Sequence, residues 1–232
     1  HAVMQAEKYI NDDYKYVFIL CGDTPLISDE TITQTIKYHR QQKNCATIVT
    51  ACLSNPSGYG RIIRNEKGIV QRIIEETDLS QEQKHMKEIN SGIYCFTTKY
   101  LLSSLKKINS NNNQNEYYLT DTIEELISNG NKVGAITVED TDEIIGVNDR
   151  VQLEHVTTIM RKRINCGHMM SGVTIINSDS TYIDDEVKIG MDTIIYPGTI
   201  LQGNCSIGKN CIIGPNSRLI NSNVGNNVEI NN

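Results

Sequence analysis

A single carboxylate, Asp23, follows a short, continuous apolar run near the start of the chain. Residues 17–20 (V-F-I-L) are all apolar, and Gly22 and Pro25 mark where the run ends. Such a run predicts a strand buried on both faces of a parallel sheet, and sheets of this kind bind ligands at the carboxyl ends of their strands. A carboxylate there suits a hard divalent cation that meets a phosphate group. The alternative is that Asp23 caps the turn into the next helix.

Three later motifs carry glycine or amide groups suited to a sugar or nucleotide ligand. Gly60, in G-Y-G-R-I, allows a ligand to approach the backbone closely. Asn90 stands in N-S-G, where an amide beside a glycine can contact sugar hydroxyls. Asn148 of G-V-N-D-R precedes a helical pattern and, taken alone, is interpreted as the N-cap of that helix.

These residues need a scaffold of alternating helices and strands, and the hydrophobic pattern predicts one. The alternation in the first half is typical of a parallel α/β sheet. Ser28 and Thr120 are the predicted N-caps of two of its helices. An acidic run, residues 75–78, ends a predicted hairpin, and Glu76 and Asp78 within it are expected to be solvated. The predicted helices cover residues 2–10, 28–42, 120–129 and 148–170. The predicted strands cover residues 17–20, 45–53, 61–64, 69–74, 88–96 and 132–138. A polar loop is predicted at residues 110–115.

The last part of the chain has a strict period of six residues. After Leu219 the phase slips by one, and Val224 and Ile230 resume it. A helix cannot use a period of six, so the pattern predicts a parallel β-helix whose aliphatic side chains stack inside successive coils. The periodic aliphatic residues are Ile183, Ile189, Ile195, Leu201, Ile207, Ile213 and Leu219, each of the later ones preceded two positions earlier by a small or β-branched residue.

Composition excludes several classes of function. The net charge is −6 over 232 residues, which argues against binding to nucleic acid or to an anionic membrane. No apolar run reaches about 18 residues and no signal peptide is recognisable, so we expect a soluble, cytoplasmic protein. The seven cysteines lack C-x-x-C spacing and the five histidines are scattered, which predicts neither disulfides nor a zinc site.

Five ordered motifs, followed by the hexapeptide pattern, resemble one known family. The motifs are G-D-x-P-L-I, G-Y-G-R-I, E-I-N-x-G, E-Y-Y-L-T-D and G-V-N-x-R. Together they closely resemble the bacterial bifunctional N-acetylglucosamine-1-phosphate uridylyltransferase/glucosamine-1-phosphate acetyltransferases. The resemblance implies an α/β fold: a truncated, Rossmann-like nucleotidyltransferase domain in residues 1–147, a linker helix in 148–170, and the start of a left-handed parallel β-helix in 171–232.

The same resemblance implies two activities of a longer parent protein. The first domain would join UTP to N-acetylglucosamine 1-phosphate, with Mg²⁺ as cofactor, and make UDP-N-acetylglucosamine for cell-wall synthesis. The β-helix domain would acetylate glucosamine 1-phosphate from acetyl-CoA and assemble a homotrimer. Neither a nucleic acid nor a membrane partner is implied.

The resemblance also assigns individual residues. Asp23 and Asn148 match the catalytic pair that binds Mg²⁺. Cys21 and Gly22 match backbone positions along the nucleotide. Gly60 matches a backbone contact to the sugar nucleotide, and Glu75 and Asn90 match the side chains that hold the N-acetylglucosamine.

Three departures from the family pattern change what is expected of this stretch alone. Cys21 stands where the family often has Tyr, the glycine-rich triphosphate loop expected before His1 is absent, and the coils stop before the acetyltransferase residues. No acetyl-CoA site is therefore assigned. We expect the stretch alone to catalyse neither reaction and to dissolve poorly, because missing strands would leave an uncovered sheet edge.

Two other functions fit parts of the pattern. One is a different sugar-1-phosphate nucleotidylyltransferase, of the ADP-glucose or dTDP-glucose type, although E-I-N-S-G and G-V-N-D-R favour N-acetylglucosamine. The other is a non-catalytic assembly subunit with the same two domains, which would be expected to lack the Asp23 and Asn148 pair.

Overall fold

The computed structural model describes residues 1–11, 13–110 and 116–231, and the chain divides into two compact units, residues 1–146 and 147–232. The predicted polar loop at 110–115 therefore lies almost entirely outside the described residues. The first unit contains helices α1 (Ala2–Ala6), α2 (Asp29–Gln42), α3 (Thr98–Leu105) and α4 (Asp121–Ser128), and strands β1 (Tyr16–Ile19), β2 (Ala46–Cys52), β3 (Arg61–Arg64), β4 (Val70–Ile74), β5 (Glu88–Thr97) and β6 (Val133–Thr137).

The sheet of the first unit is mixed, so the expectation of a parallel sheet is wrong. Its order is β4-β3-β5-β2-β6, and β1 also pairs with β5. Strand β5 runs antiparallel to β1, β2 and β3, whereas β2 and β6 pair in parallel. The β3–β4 hairpin reverses the chain, and residues 75–87 then return it to the end of the sheet where β4 starts, so β5 runs in the same direction as β4 and opposite to β3.

Strand β1 is less buried than its apolar sequence predicts. All four of its residues are only partly buried, and Leu20, just beyond it, is 46% exposed. The strand that is almost wholly buried is β2, at six of its seven positions. The core of the unit therefore lies around β2 and β5 rather than under β1.

Helix α2 packs on the sheet through polar side chains. Its predicted apolar positions, Ile32 and Ile36, are half-buried, whereas Thr35 and His39 are fully buried. The two ring nitrogens of His39 lie 2.9 Å from the Thr47 hydroxyl and 3.0 Å from the Thr97 hydroxyl. Burial lowers the pKa of His39 to about 4, so the ring is neutral at physiological pH.

The second unit begins with helix α5 (Arg150–Met170) and continues as a parallel β-solenoid. Three parallel sheets form its sides, and the predicted aliphatic residues stack in register along them, for example Ile195 on Ile175 and Ile213. The predicted slip is confirmed, because Ile207 pairs with Val224, 17 rather than 18 residues later. The strands are β7 (Thr174–Ile175), β8 (Tyr182–Ile183), β9 (Lys188–Ile189), β10 (Ile194–Ile195), β11 (Ile200–Gln202), β12 (Ser206–Ile207), β13 (Ile212–Ile213), β14 (Arg218–Ile220), β15 (Asn223–Val224) and β16 (Glu229–Ile230).

The coils bring backbone onto backbone at two glycines. A Cβ built on Gly190 would lie 2.6 Å from the carbonyl carbon of Gly208, and one built on Gly208 would lie 2.6 Å from that of Gly225. Glycine is required at both positions because a side chain would meet the backbone of the next coil and, at Gly208, also the Asn226 side chain.

Candidate functional site

Asp23 lies in a tight turn after β1. The Thr24 backbone N–H and hydroxyl both donate to the Cys21 carbonyl, at 3.4 and 2.9 Å. The turn leaves the Asp23 side chain exposed, and it makes no hydrogen bond or ion pair with any other described residue. The N-cap of α2 is Ser28, whose hydroxyl accepts from the Thr31 N–H. The capping alternative for Asp23 is therefore wrong.

Both the side chain and the backbone of Cys21 make contacts that fix the turn containing Asp23. Its thiol lies against β5, 3.5 Å from the Gly92 carbonyl, and a Cβ on Gly92 would lie only 2.7 Å from Sγ. Gly92 also has φ +78, which disfavours a side chain. Burial, followed by the nearby Asp23 carboxylate, raises the pKa of the Cys21 thiol. The turn that contains Asp23 therefore packs against β5 through the Cys21 side chain.

Asn90, in β5, and Gly60, just before β3, are joined where these two strands pair. The Asn90 backbone N–H donates to the Gly60 carbonyl at 2.9 Å. The Asn90 side chain is held by Tyr94, whose hydroxyl lies 2.7 Å from the amide nitrogen and 2.9 Å from the amide oxygen. Sequence reasoning missed Tyr94, although two residues four positions apart in a strand share a face.

Glu75, directly after the end of β4, lies beside Gly60. A Cβ on Gly60 would lie 3.3 Å from Glu75 Oε2, and the other carboxylate oxygen, Oε1, accepts a 2.8 Å hydrogen bond from the Thr120 hydroxyl. Thr120 occupies the predicted N-cap position of α4, but its hydroxyl bonds to Glu75 and makes no capping hydrogen bond. Burial raises the pKa of Glu75, Thr120 opposes that rise, and Asp78 adds to it. A cavity of about 270 Å³ opens here, lined by Glu75, Thr120, Asp121 and other residues of β4 and α4.

Glu76 is partly solvated, with a side chain that is 35% exposed, but one of its oxygens makes an ion pair that was not expected. Its Oε2 atom is buried and lies 3.0 Å from Nη1 of Arg61, whose side chain is 1% exposed. Asp78, by contrast, is exposed as expected. Sequence reasoning missed this pair because a charged residue in a short strand gives no sign of the partner that will neutralise it.

Asn148 lies in the second unit, before α5. The N-cap of α5 is Asp149, which accepts from the Gln152 N–H in a capping box, so the N-cap interpretation of Asn148 is wrong. The Asn148 side chain is exposed and makes no hydrogen bond with the described residues. Asp23 and Asn148 belong to different units, and their shared metal site stays a prediction.

The donor chemistry at these two positions fits magnesium. A carboxylate and an amide oxygen, both exposed and without a hydrogen-bonding partner among the described residues, suit an ion that keeps several waters and takes few protein ligands. In the described part of the chain, no group of three or more His, Cys, Asp or Glu residues could hold a metal ion.

Two family models match the chain. The nucleotidyl transferase model matches residues 1–149, and the model for six bacterial transferase hexapeptide repeats matches residues 186–221. Within the described ranges, no helix is both long enough and apolar enough to cross a lipid bilayer.

Similar full-length proteins are about twice as long as this chain. The chain is 57% identical over its whole length to the bifunctional protein GlmU of Acetivibrio thermocellus, and 52% identical to that of Clostridioides difficile, and spans 50% of each. A solved structure assigned as a glucose-1-phosphate thymidylyltransferase from Bacillus anthracis aligns with a TM-score of 0.51 at 19% identity, over 68% of this chain and 58% of that one. At that identity the structural likeness concerns the fold alone.

Proposed function

This chain belongs to the nucleotidyl transferase family, and from that membership we propose that the protein containing it joins UTP to N-acetylglucosamine 1-phosphate. The products are UDP-N-acetylglucosamine and pyrophosphate. The observation that carries the proposal is that Gly60 lies next to both Glu75 and Asn90, near the start of β5. A carboxylate and an amide suit a sugar that carries both hydroxyls and an N-acetyl group.

The proposed reaction needs positioning more than covalent chemistry. A phosphate oxygen of the sugar phosphate attacks the α-phosphorus of UTP, and the bond to the departing pyrophosphate breaks in line. Glu75 and Asn90 hold the sugar, and the backbone at Cys21 and Gly22 follows the nucleotide. Asp23 and Asn148 hold Mg²⁺, which, when bound, supplies positive charge to the phosphates.

The solenoid supports a second proposed activity of the whole protein. Relatives that share both parts of the chain are named bifunctional, and the hexapeptide repeats belong to a bacterial transferase type. We propose that the second activity is acetylation of glucosamine 1-phosphate by acetyl-CoA, and that the coils assemble a homotrimer. No residue of this chain is assigned to the acetyl-CoA site.

Pyrophosphate release by the full-length protein tests the proposal. With UTP and Mg²⁺, we expect turnover with N-acetylglucosamine 1-phosphate and at least about a hundredfold lower kcat/KM with glucose 1-phosphate, since Glu75 and Asn90 would lose the N-acetyl group that they help to hold. Preference for glucose 1-phosphate would instead favour a nucleotidylyltransferase of the ADP-glucose or dTDP-glucose type. Absence of turnover with either sugar would favour an assembly subunit.

A further inference from the structure

We propose that the buried Arg61 and the partly exposed Glu76 form a positioning pair that sets the spacing between Gly60 and Glu75 in the proposed sugar site. The inference rests on the proposed function, because it concerns how those two residues meet the sugar phosphate. Neither member of the pair touches the ligand in this proposal. Both act through the residue that precedes them in the chain.

The Arg61 guanidinium joins its own segment to two others, one through the Met86 backbone and one through the Glu76 side chain. Its Nη1 donates a hydrogen bond to the Tyr59 carbonyl and lies 3.0 Å from Glu76 Oε2. Its Nε donates to the Met86 carbonyl at 3.0 Å. A guanidinium presents several donors in a fixed plane, so it can hold all three segments at fixed distances from one another.

The three segments are those that carry the sugar residues. Tyr59 precedes Gly60, Glu76 follows Glu75, and the chain after Met86 leads directly into β5 and Asn90. Tight packing transmits the spacing, since a Cβ on Gly60 would lie 3.2 Å from the Ile74 carbonyl oxygen and 3.3 Å from Glu75 Oε2. A displacement of either segment would therefore change the distance between the Gly60 backbone and the Glu75 carboxylate.

Burial of the arginine distinguishes this pair from the other ion pairs of the unit, although the Glu76 side chain as a whole is 35% exposed. Arg61 is 1% exposed, and the buried Oε2 of Glu76 accepts no hydrogen bond from the described residues, so Arg61 is the group that compensates its charge. Nearby in the same hairpin, Arg64 makes a two-bond pair with Glu88 at 2.7 and 2.6 Å, with side chains 30% and 19% exposed. That pair joins β3 to β5 and makes no hydrogen bond or ion pair with Tyr59, Gly60 or Glu75.

Steady-state kinetics of the full-length protein can distinguish positioning from general stability. Arg61→Lys retains the charge but loses the planar set of donors, and the double variant R61M/E76Q removes both charges together, so that no buried charge is left unpaired. We expect each to raise the KM for N-acetylglucosamine 1-phosphate about tenfold, with the KM for UTP changed less than about twofold. The matched control, R64M/E88Q, should lower the unfolding temperature and leave both KM values unchanged.

The two proposals fail in different ways. If the wild-type protein releases no pyrophosphate with this sugar phosphate, the proposed function fails. If the wild-type protein is active and R61M/E76Q leaves the sugar phosphate KM unchanged, the positioning role is wrong. Equal rises in both KM values, or the same rise in R64M/E88Q, would show that the pair only stabilises the unit and would overturn the inference.

Discussion

The Thr120 hydroxyl donates a 2.8 Å hydrogen bond to Oε1 of Glu75, joining the start of α4 to the end of β4. The bond stabilises the charged carboxylate and opposes the burial that raises the pKa of Glu75. A carboxylate must be ionised to accept hydrogen bonds on both oxygens from a sugar. The position of Glu75 in the proposed sugar site therefore depends on a threonine that the sequence pattern presents as a helix cap.

Thr120→Val should move the acid limit of sugar binding to higher pH. Losing the donor removes the one interaction of this set that lowers the pKa of Glu75, so the pKa rises further above its ordinary value. We expect the acidic limb of kcat/KM for the sugar phosphate to shift upward in pH, while the KM for UTP keeps its pH dependence. Pyrophosphate release between pH 5 and 8 measures the shift.

Thr122→Val is the control for that experiment. Its hydroxyl bonds only within the same segment, to the Leu119 carbonyl, at 2.6 Å. An identical pH shift in this variant would mean that α4 has moved as a whole, and would count against the specific bond to Glu75.

Replacing Asp23 should stop one activity and leave the other. Asp23→Ala is expected to lower uridylyl transfer by at least about a thousandfold, because the proposed cation loses its only carboxylate. Acetyl transfer should be nearly unchanged, since it is assigned to the other domain. Pyrophosphate release and thiol release from acetyl-CoA measure the two activities in the same preparation.

Asp29→Asn is the matched control for Asp23. Asp29 is an exposed carboxylate in the first turn of α2, close in sequence but without a proposed role in binding. It should retain both activities. Equal loss of both activities in Asp23→Ala would contradict the assignment of the two reactions to separate domains.

The first unit should lose stability as the pH falls from 6.5 towards 4. Folded His39 has a pKa of about 4, whereas an unfolded histidine titrates near 6.5, so the unfolded chain binds the extra proton in that window. Each pH unit within the window should cost up to about 1.4 kcal/mol of the free energy of unfolding. Urea unfolding at pH 7, 6 and 5 measures this slope.

His39→Gln should flatten the slope while lowering stability at pH 7, where the hydrogen bonds to Thr47 and Thr97 are lost. His85→Gln is the control, because His85 is exposed in a surface turn. If the two variants have the same pH slope as the wild type, His39 is not the group responsible.

Two glycine substitutions should have opposite effects on the second unit. Gly190→Ala places a Cβ 2.6 Å from the backbone of Gly208 and should cost about 2–4 kcal/mol. Gly167→Ala, on the exposed side of α5 with no atom within 4 Å of the new Cβ, should add about 0.5–1 kcal/mol. Hydrogen exchange of the coil amides measures the opening free energy in each variant. A neutral Gly190→Ala would mean that the coils can separate at this position without cost.

The solenoid was predictable in detail because its rule is local. Each inward side chain contacts its equivalents one coil away, so a repeat of six in the sequence fixes the register, including the slip after Leu219. The β3–β4 hairpin and the cap at Ser28 were predictable for the same reason, since both depend on residues within a few positions of each other.

The errors arose where distant segments meet. The direction of β5 follows from the order in which strands join the sheet, and the apolar pattern of β1 does not contain that order. The burial of His39 depends on hydroxyls of β2 and β5, and the pairing of Arg61 depends on Glu76. For His39 and Arg61 the residue type alone favours exposure, and partners on other elements of the fold account for their burial.

Coil length varies along the solenoid while the interior column stays aligned. The column through Ile175, Ile195, Ile213 and Ile230 is joined by steps of 20, 18 and 17 residues. The longer step contains the turn at Ser178–Ser180, and the shorter one has a single residue fewer after Ile220, so both changes fall at corners. The corners therefore absorb differences in coil length. Residues inserted at a corner should leave the register of the stacked strands unchanged.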